Sequence, residues 1–190
     1  ACLNIANALR ANGKEGAAKD LFDALYGPEE IPVVRVAAFR GRVMARGADG
    51  AALVAEALQG GVPELQAIAF QLARQVPGKE ATRRFAEALP KLDAPKKALL
   101  LAALADRRDS EAQEAVLTCM SDPGSDVRIA ACKAMASVGD ATAVPALLQR
   151  CGSDQPQEAE AARASLARLP DKQVNPALLE QLNTADTPQK

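Results

Sequence analysis

The sequence predicts an all-α protein, an α-solenoid of about six stacked helical hairpins. Three observations carry this expectation: turn residues recur at a near-constant period, apolar residues inside each period fall on helical stripes, and the composition starves any β architecture. Hydrophobic residues make up 48% of the 190 positions, yet aromatics make up only 3% and Trp is absent. The core must therefore be built from Ala, Leu, Val and Ile, which let helices approach closely, whereas sheet proteins draw on aromatic and β-branched residues. A charged fraction of 25% is ordinary for a folded chain and argues against wholesale disorder.

The period comes first, because self-similarity at a fixed spacing decides the architecture. The clearest unit runs from Asp126 to Leu148. Val127, Ala131, Ala134 and Val138 recur at three- and four-residue steps and form one helical stripe. Gly139 stops that helix, Asp140 is placed to cap the next, and Val144, Leu147 and Leu148 carry the second stripe. The turn between the two helices recurs at Gly13, Gly47, Pro77, Arg108, Gly139 and Pro170, with steps of 34, 30, 31, 31 and 31 residues. Pro145 and Pro176 share one register 31 apart. Loops between hairpins fall at Gly27-Pro28 with Pro32, Gly60-Gly61 with Pro63, Pro95, Pro123-Gly124 and Pro156.

These marks divide residues 1–183 into one solenoid of repeats at about 1–27, 28–61, 62–93, 94–123, 124–154 and 155–183, followed by a polar tail over 184–190. The longer first step reflects an insertion between Tyr26 and Pro32. The second-helix stripes read Leu21, Phe22 and Leu25; Val54, Ala57 and Leu58; Phe85, Ala86 and Leu89; Val116, Leu117 and Met120; Val144, Leu147 and Leu148; Leu178, Leu179 and Leu182. No hairpin can bury its stripe alone, so neighbours must stack. About twelve helices of about 12 residues, each roughly 18 Å long, arranged as an elongated arc, are expected.

Val127-Arg128, the paired Ala130-Ala131, Gly139-Asp140 and Ala143-Val144-Pro145 with Leu147-Leu148 resemble the short HEAT repeat of the phycobilisome-lyase type. Val34-Arg35-Val36-Ala37-Ala38 repeats its first part. The resemblance implies a binding scaffold with no catalytic group in the repeat, of a kind found in bacterial multidomain proteins. It also implies that a first-helix Arg bonds acids between hairpins. That Arg is kept as Arg35 and Arg128, but Gln66, Lys97 and Ala159 stand at the matching places, so a broken ladder is expected.

The residue inventory excludes much chemistry. The chain has no His, which removes the commonest general base and the usual Ser or Cys triads. Cys2, Cys119, Cys132 and Cys151 form no CxxC pair and read as small apolar packing residues, with a disulfide among the last three left open. Glu29-Glu30, Glu158 with Glu160, and Asp20 with Asp23 read as solvated charges, and Asp126 and Asp140 as helix caps. No cofactor is expected, and no apolar run is long enough to span a membrane. The start at Ala1-Cys2-Leu3 already reads as helix and suggests a processed chain or a piece of a longer one, with an uncapped first helix. Localisation is not encoded: a soluble chain, cytoplasmic or exported within a longer one, fits, and a monomer is expected.

Charge placement supplies the candidate sites. Residues 35–108 hold 13 Lys and Arg against 7 Asp and Glu, between flanks that are net acidic. Arg35, Arg42 and Arg46 fall on one helical face of repeat two. In repeat three, Thr82, Phe85, Ala86 and Leu89 form the buried stripe and leave Glu80, Arg83, Arg84 and Glu87 pointing outward. The first function expected is a non-catalytic protein-interaction scaffold whose partner presents acidic groups to Arg83 and Arg84, with the Arg35, Arg42 and Arg46 face in reserve. The alternative is a polyanion- or nucleic-acid-binding module. It is disfavoured by the near-neutral net charge and by the few aromatics, Phe22, Tyr26, Phe39, Phe70 and Phe85, available for base stacking.

Overall fold

A computed structural model describes residues 1–169 and Pro176. Eleven α-helices and four short 3-10 turns account for the elements, and no strand occurs among the described residues. The helices are α1 (Cys2–Ala11), α2 (Glu15–Ala24), α3 (Pro32–Met44), α4 (Gly50–Gln59), α5 (Pro63–Gln75), α6 (Lys79–Ala88), α7 (Ala94–Arg107), α8 (Gln113–Cys119), α9 (Ser125–Val138), α10 (Val144–Cys151) and α11 (Pro156–Leu166). They form five hairpins and the first helix of a sixth, an all-α solenoid class of fold. The turn expected at Pro170, the stripe of Leu178, Leu179 and Leu182, and the tail 184–190 lie outside the described residues.

Two compact units emerge, Ala1–Leu92 and a second that begins at Asp93. In the first, α1, α3 and α5 stack as a layer of first helices, with α2 packed on α1 and α3, and α4 on α5 and α6. In the second, α7, α9 and α11 stack in the same way, α8 packs on α9, and α10 on α11.

Local sequence explains the boundaries. Pro sits in the first turn of α3, α5, α7, α10 and α11, where its missing N–H costs nothing. Among the described residues four have positive φ: Gly13, Gly47, Gly78 and Arg108. All four lie in the turn between the two helices of a hairpin, in the first four repeats, whereas Gly139 at the fifth is extended, with φ at −83°. In repeat three the turn residue is Gly78, one place after the expected Pro77. Asp109 accepts from the Glu111 N–H and Asp140 from the Thr142 N–H, an identical device 31 residues apart that starts each following 3-10 turn. Asp126 does not cap: Gly124 holds the N-cap of α9, and Asp126 lies in the first turn, where its charge suits the helix dipole.

The stripes fill the cores. Val127, Ala131, Ala134 and Val138 are buried, as are Phe22, Val54, Leu58, Phe85, Leu89, Val116, Met120, Val144 and Leu147. The cysteine expectation holds for Cys119 and Cys132, which are buried, and in part for Cys151. It fails for Cys2, which lies exposed on α1. All four are free thiols.

Candidate partner-binding surface

The α6 helix has the division of faces that its sequence dictates. Ala81, Thr82, Phe85, Ala86 and Ala88 are buried, and Glu80, Arg83, Arg84 and Glu87 are exposed. Gly78, with φ at 97°, turns the chain so that α6 starts beside α4. Glu80 sits between the two cations. Its carboxylate lies 3.4 Å from Arg83 Nη1 and 3.4 Å from Arg84 Nε, at helical spacings of three and four residues. The side chains of Arg83 and Arg84 keep about half their surface, 52% and 49%. Such exposed pairs contribute a few tenths of a kcal/mol and leave the guanidinium forks able to exchange partners.

The Arg35, Arg42 and Arg46 face is built differently. Arg42 Nε donates to Asp23 Oδ1 at 2.5 Å, and Arg46 Nη2 donates to Asp23 Oδ2 at 2.8 Å. Arg46 Nη1 also donates to the Arg42 carbonyl. The Arg42 guanidinium lies 4.2 Å above the Tyr26 ring, and that ring leans on Phe39 with centroids 5.8 Å apart. Partial burial raises the Asp23 pKa, but hydrogen bonds from Arg46 and Arg42 outweigh it and hold the carboxyl below its ordinary range. Asp23 is therefore a structural clamp between α2 and α3, not a solvated charge. Arg35 stands apart, half-buried, and its Nε is buried without a hydrogen-bond acceptor.

The ladder that the sequence led us to expect broken is rebuilt with other residues in the second unit. Lys97 replaces Arg and reaches Asp122 at 2.7 Å. Arg128 donates through Nε and Nη2 to Glu158, which is fully buried, and through Nη1 to the carbonyls of Asp122 and Pro123. Arg150 adds a third contact to Glu158 at 3.3 Å. The expectation of a solvated Glu158 fails because Arg128 supplies its fork from the neighbouring hairpin. A signal was present: Val127 stands 31 residues earlier, so Glu158 occupies a core stripe position, where a carboxylate must find a partner. In the first unit Gln66 takes the Arg place and donates to the Leu58 and Gly60 carbonyls, closing the end of α4.

A groove of about 390 Å³ opens beside α4, lined among others by Tyr26, Phe39, Leu53, Glu56, Val62 and Leu65. Sequence reasoning missed it, because it depends on where the α2–α3 connection carries Tyr26 relative to α4. Among the described residues no group of three or more Cys, Asp and Glu is placed to hold a metal ion. No described helix is long and apolar enough to cross a membrane.

Residues 82–167 match the family model of HEAT repeats. Over that stretch, a little under half of the chain, the sequence resembles HEAT repeats. The matched HEAT region includes most of α6, all of α7 to α10, and α11, so it contains both Arg84 and the Arg128–Glu158 pair. No curated protein matches the chain.

Proposed function

We propose that the chain is a non-catalytic protein-interaction scaffold that presents α6 to an acidic partner. The observation that carries this reading is the outward face of α6. Arg83 and Arg84 stand side by side on one helix, half-exposed, each 3.4 Å from the Glu80 carboxylate. Because these exposed pairs are weak, each planar fork can exchange Glu80 for a partner carboxylate and pair with it bidentately, the geometry that makes Arg frequent at interface hot spots. Glu80 and Glu87 flank the pair and would select against partners of uniform negative charge. HEAT repeats supply extended helical surfaces rather than reactive groups, which fits this role.

The 31-residue period and the Val-Arg, Gly-Asp and Ala-Val-Pro elements support the short phycobilisome-lyase type of HEAT repeat, without lyase chemistry, within a larger bacterial multidomain protein. Protein is favoured over nucleic acid by the aromatic residues. Phe22, Phe39, Phe70 and Phe85 are buried, and Tyr26 carries Arg42 on its ring, so bases would find few stacking platforms.

The test is Arg83→Glu with Arg84→Glu, applied to whatever partner affinity capture recovers. The expected result is a loss of binding of tenfold or more, about 1.4 kcal/mol, with unchanged circular dichroism. Unchanged affinity would move the site to the Arg35, Arg42 and Arg46 face. Titration with random-sequence DNA at two salt concentrations addresses the polyanion alternative, since phosphate binding weakens steeply with salt.

A further inference from the structure

We infer that the groove beside α4, bounded by Tyr26 in the α2–α3 connection, by α3 and by the start of α5, receives a partner segment that inserts one large apolar side chain and sets a Lys or Arg against Glu56. This deepens the scaffold reading and rests on it. Repeat one is joined to repeat two by a longer connection than the others among the described residues, and that connection carries Tyr26 to the groove. The α4 helix packs directly on α6, whereas α2 packs on α1 and α3 and has no comparable packing on α4. Two contacts tie the end of α2 to α3. Asp23 clamps Arg42 and Arg46. The Phe22 ring lies over Gly41, so close that a Cβ there would come within 2.2 Å of it.

The groove lies between Tyr26 in the α2–α3 connection and α4, with α3 and the start of α5, and is lined mainly by apolar groups. Phe39 and Leu65 are nearly covered, at 2% and 8% exposure, while Leu53, Val62 and Tyr26 keep part of their surface. The volume of about 390 Å³ lies at the small end of ligand sites and suits one or two large side chains.

Charge selects the occupant. Arg42 borders the groove but is committed to Asp23 and the Tyr26 ring. Glu56 borders it from α4, is exposed, and makes no ion pair or side-chain hydrogen bond among the described residues. The unmatched charge at the groove is therefore negative, and a cation beside the apolar anchor complements it. On α6, packed against α4, the unit presents Arg83 and Arg84. A segment that reads apolar, then basic, then acidic would match this order.

The experiment is an amide NMR titration of the full chain with two probe peptides, acetyl-Gly-Leu-Phe-Arg-Gly-amide and acetyl-Gly-Leu-Phe-Glu-Gly-amide. The Arg peptide should give saturable shifts at Leu53, Ala57, Gly60 and Val62, with the Glu peptide about three- to fivefold weaker there. Glu56→Lys should reverse the preference, Glu56→Gln should abolish it, and Leu53→Asp should remove both responses while the remaining spectrum is preserved. Silence of these amides towards the Arg peptide, or a preference unmoved by Glu56→Lys, would overturn the inference. So would groove shifts that follow protein concentration without peptide, which would place a second copy there. The amides of Arg83 and Arg84 are read in the same spectra. A response there to the Glu peptide with a silent groove removes the groove proposal and leaves the scaffold reading standing, whereas silence at both sites removes both.

Discussion

Glu158 accepts from Arg128 Nε at 3.0 Å and from Arg128 Nη2 at 2.9 Å, although the two residues lie 30 positions apart and Glu158 has no exposed surface. The pair joins the first helices of successive hairpins, α9 and α11. A buried carboxylate costs several kcal/mol to desolvate, so its value lies in the partners that meet it. Glu158→Ala should therefore destabilise the chain by about 3–5 kcal/mol, because it strands the Arg128 and Arg150 cations. Replacing both members with apolar residues, Arg128→Met with Glu158→Leu, should recover most of that loss. Urea midpoints of the three variants check this, and a double variant as weak as the single one would contradict it.

Acid sensitivity follows from the same pair. The Arg128 hydrogen bonds depress the Glu158 pKa below its ordinary value of 4.5 against the opposing effect of burial. The Lys97 hydrogen bond does the same for Asp122, whose ordinary value is 3.8. A group with a native pKa below its unfolded one contributes stability that is fully present above the unfolded value. That contribution is lost as pH falls through the native value. The urea midpoint should hold steady from neutrality to about pH 5 and decline below about 4.5. Glu158→Gln should start lower at pH 7 and decline less steeply. Parallel declines in the two proteins would show that Glu158 is not the titrating group.

Arg108 is the one non-glycine with positive φ among the described residues, at 52°, in a turn where three other repeats carry Gly. A left-handed conformation costs an L-residue about 1–2 kcal/mol, partly offset by the extra unfolded freedom of Gly. Arg108 is exposed and caps nothing through its side chain. Arg108→Gly should stabilise the protein by about 0.5–1 kcal/mol, and Gly47→Ala should destabilise it by about 1 kcal/mol. A thermal melt of each variant measures both signs.

Two helical glycines should respond in opposite directions. A Cβ at Gly41 would meet the Phe22 ring at 2.2 Å, while a Cβ at Gly16 would meet nothing within 4 Å. Gly41→Ala should cost about 1–3 kcal/mol by overpacking, and Gly16→Ala should gain up to about 1 kcal/mol from helix propensity. If Gly41→Ala is neutral, the Phe22 ring yields more easily than its full burial implies.

Thiol reactivity should separate by position. Burial pushes the Cys132 thiol up to about 11 and raises those of Cys119 and Cys151. Only the thiolate attacks, so a disulfide reagent at pH 8 should label the exposed Cys2 first and leave Cys132 unmodified until the protein unfolds. Mass mapping of a timed reaction provides the readout, and early labelling of Cys132 would mean that its helix opens locally.

The sequence by itself determined the architecture, because a repeat is a local pattern written several times. Stripe positions such as Val127, Ala131, Phe85 and Leu89 follow from the 3.6-residue helical period, and the turns at Gly13, Gly47 and Arg108 from its interruption. The outward set of Glu80, Arg83, Arg84 and Glu87 was legible for the same reason, since burying one face of α6 fixes the other. Tertiary structure alone decided which charges meet. Asp23 looks like an ordinary surface acid in the sequence, and the register of Glu158 shows only that it needs a partner, but packing brings Arg42 and Arg46 to one and Arg128 to the other across 19 to 30 residues. The groove beside Glu56 has the same origin. A helical period says which faces of α3 and α4 are apolar, but where the α2–α3 connection carries Tyr26 relative to α4 is settled only when the hairpins stack.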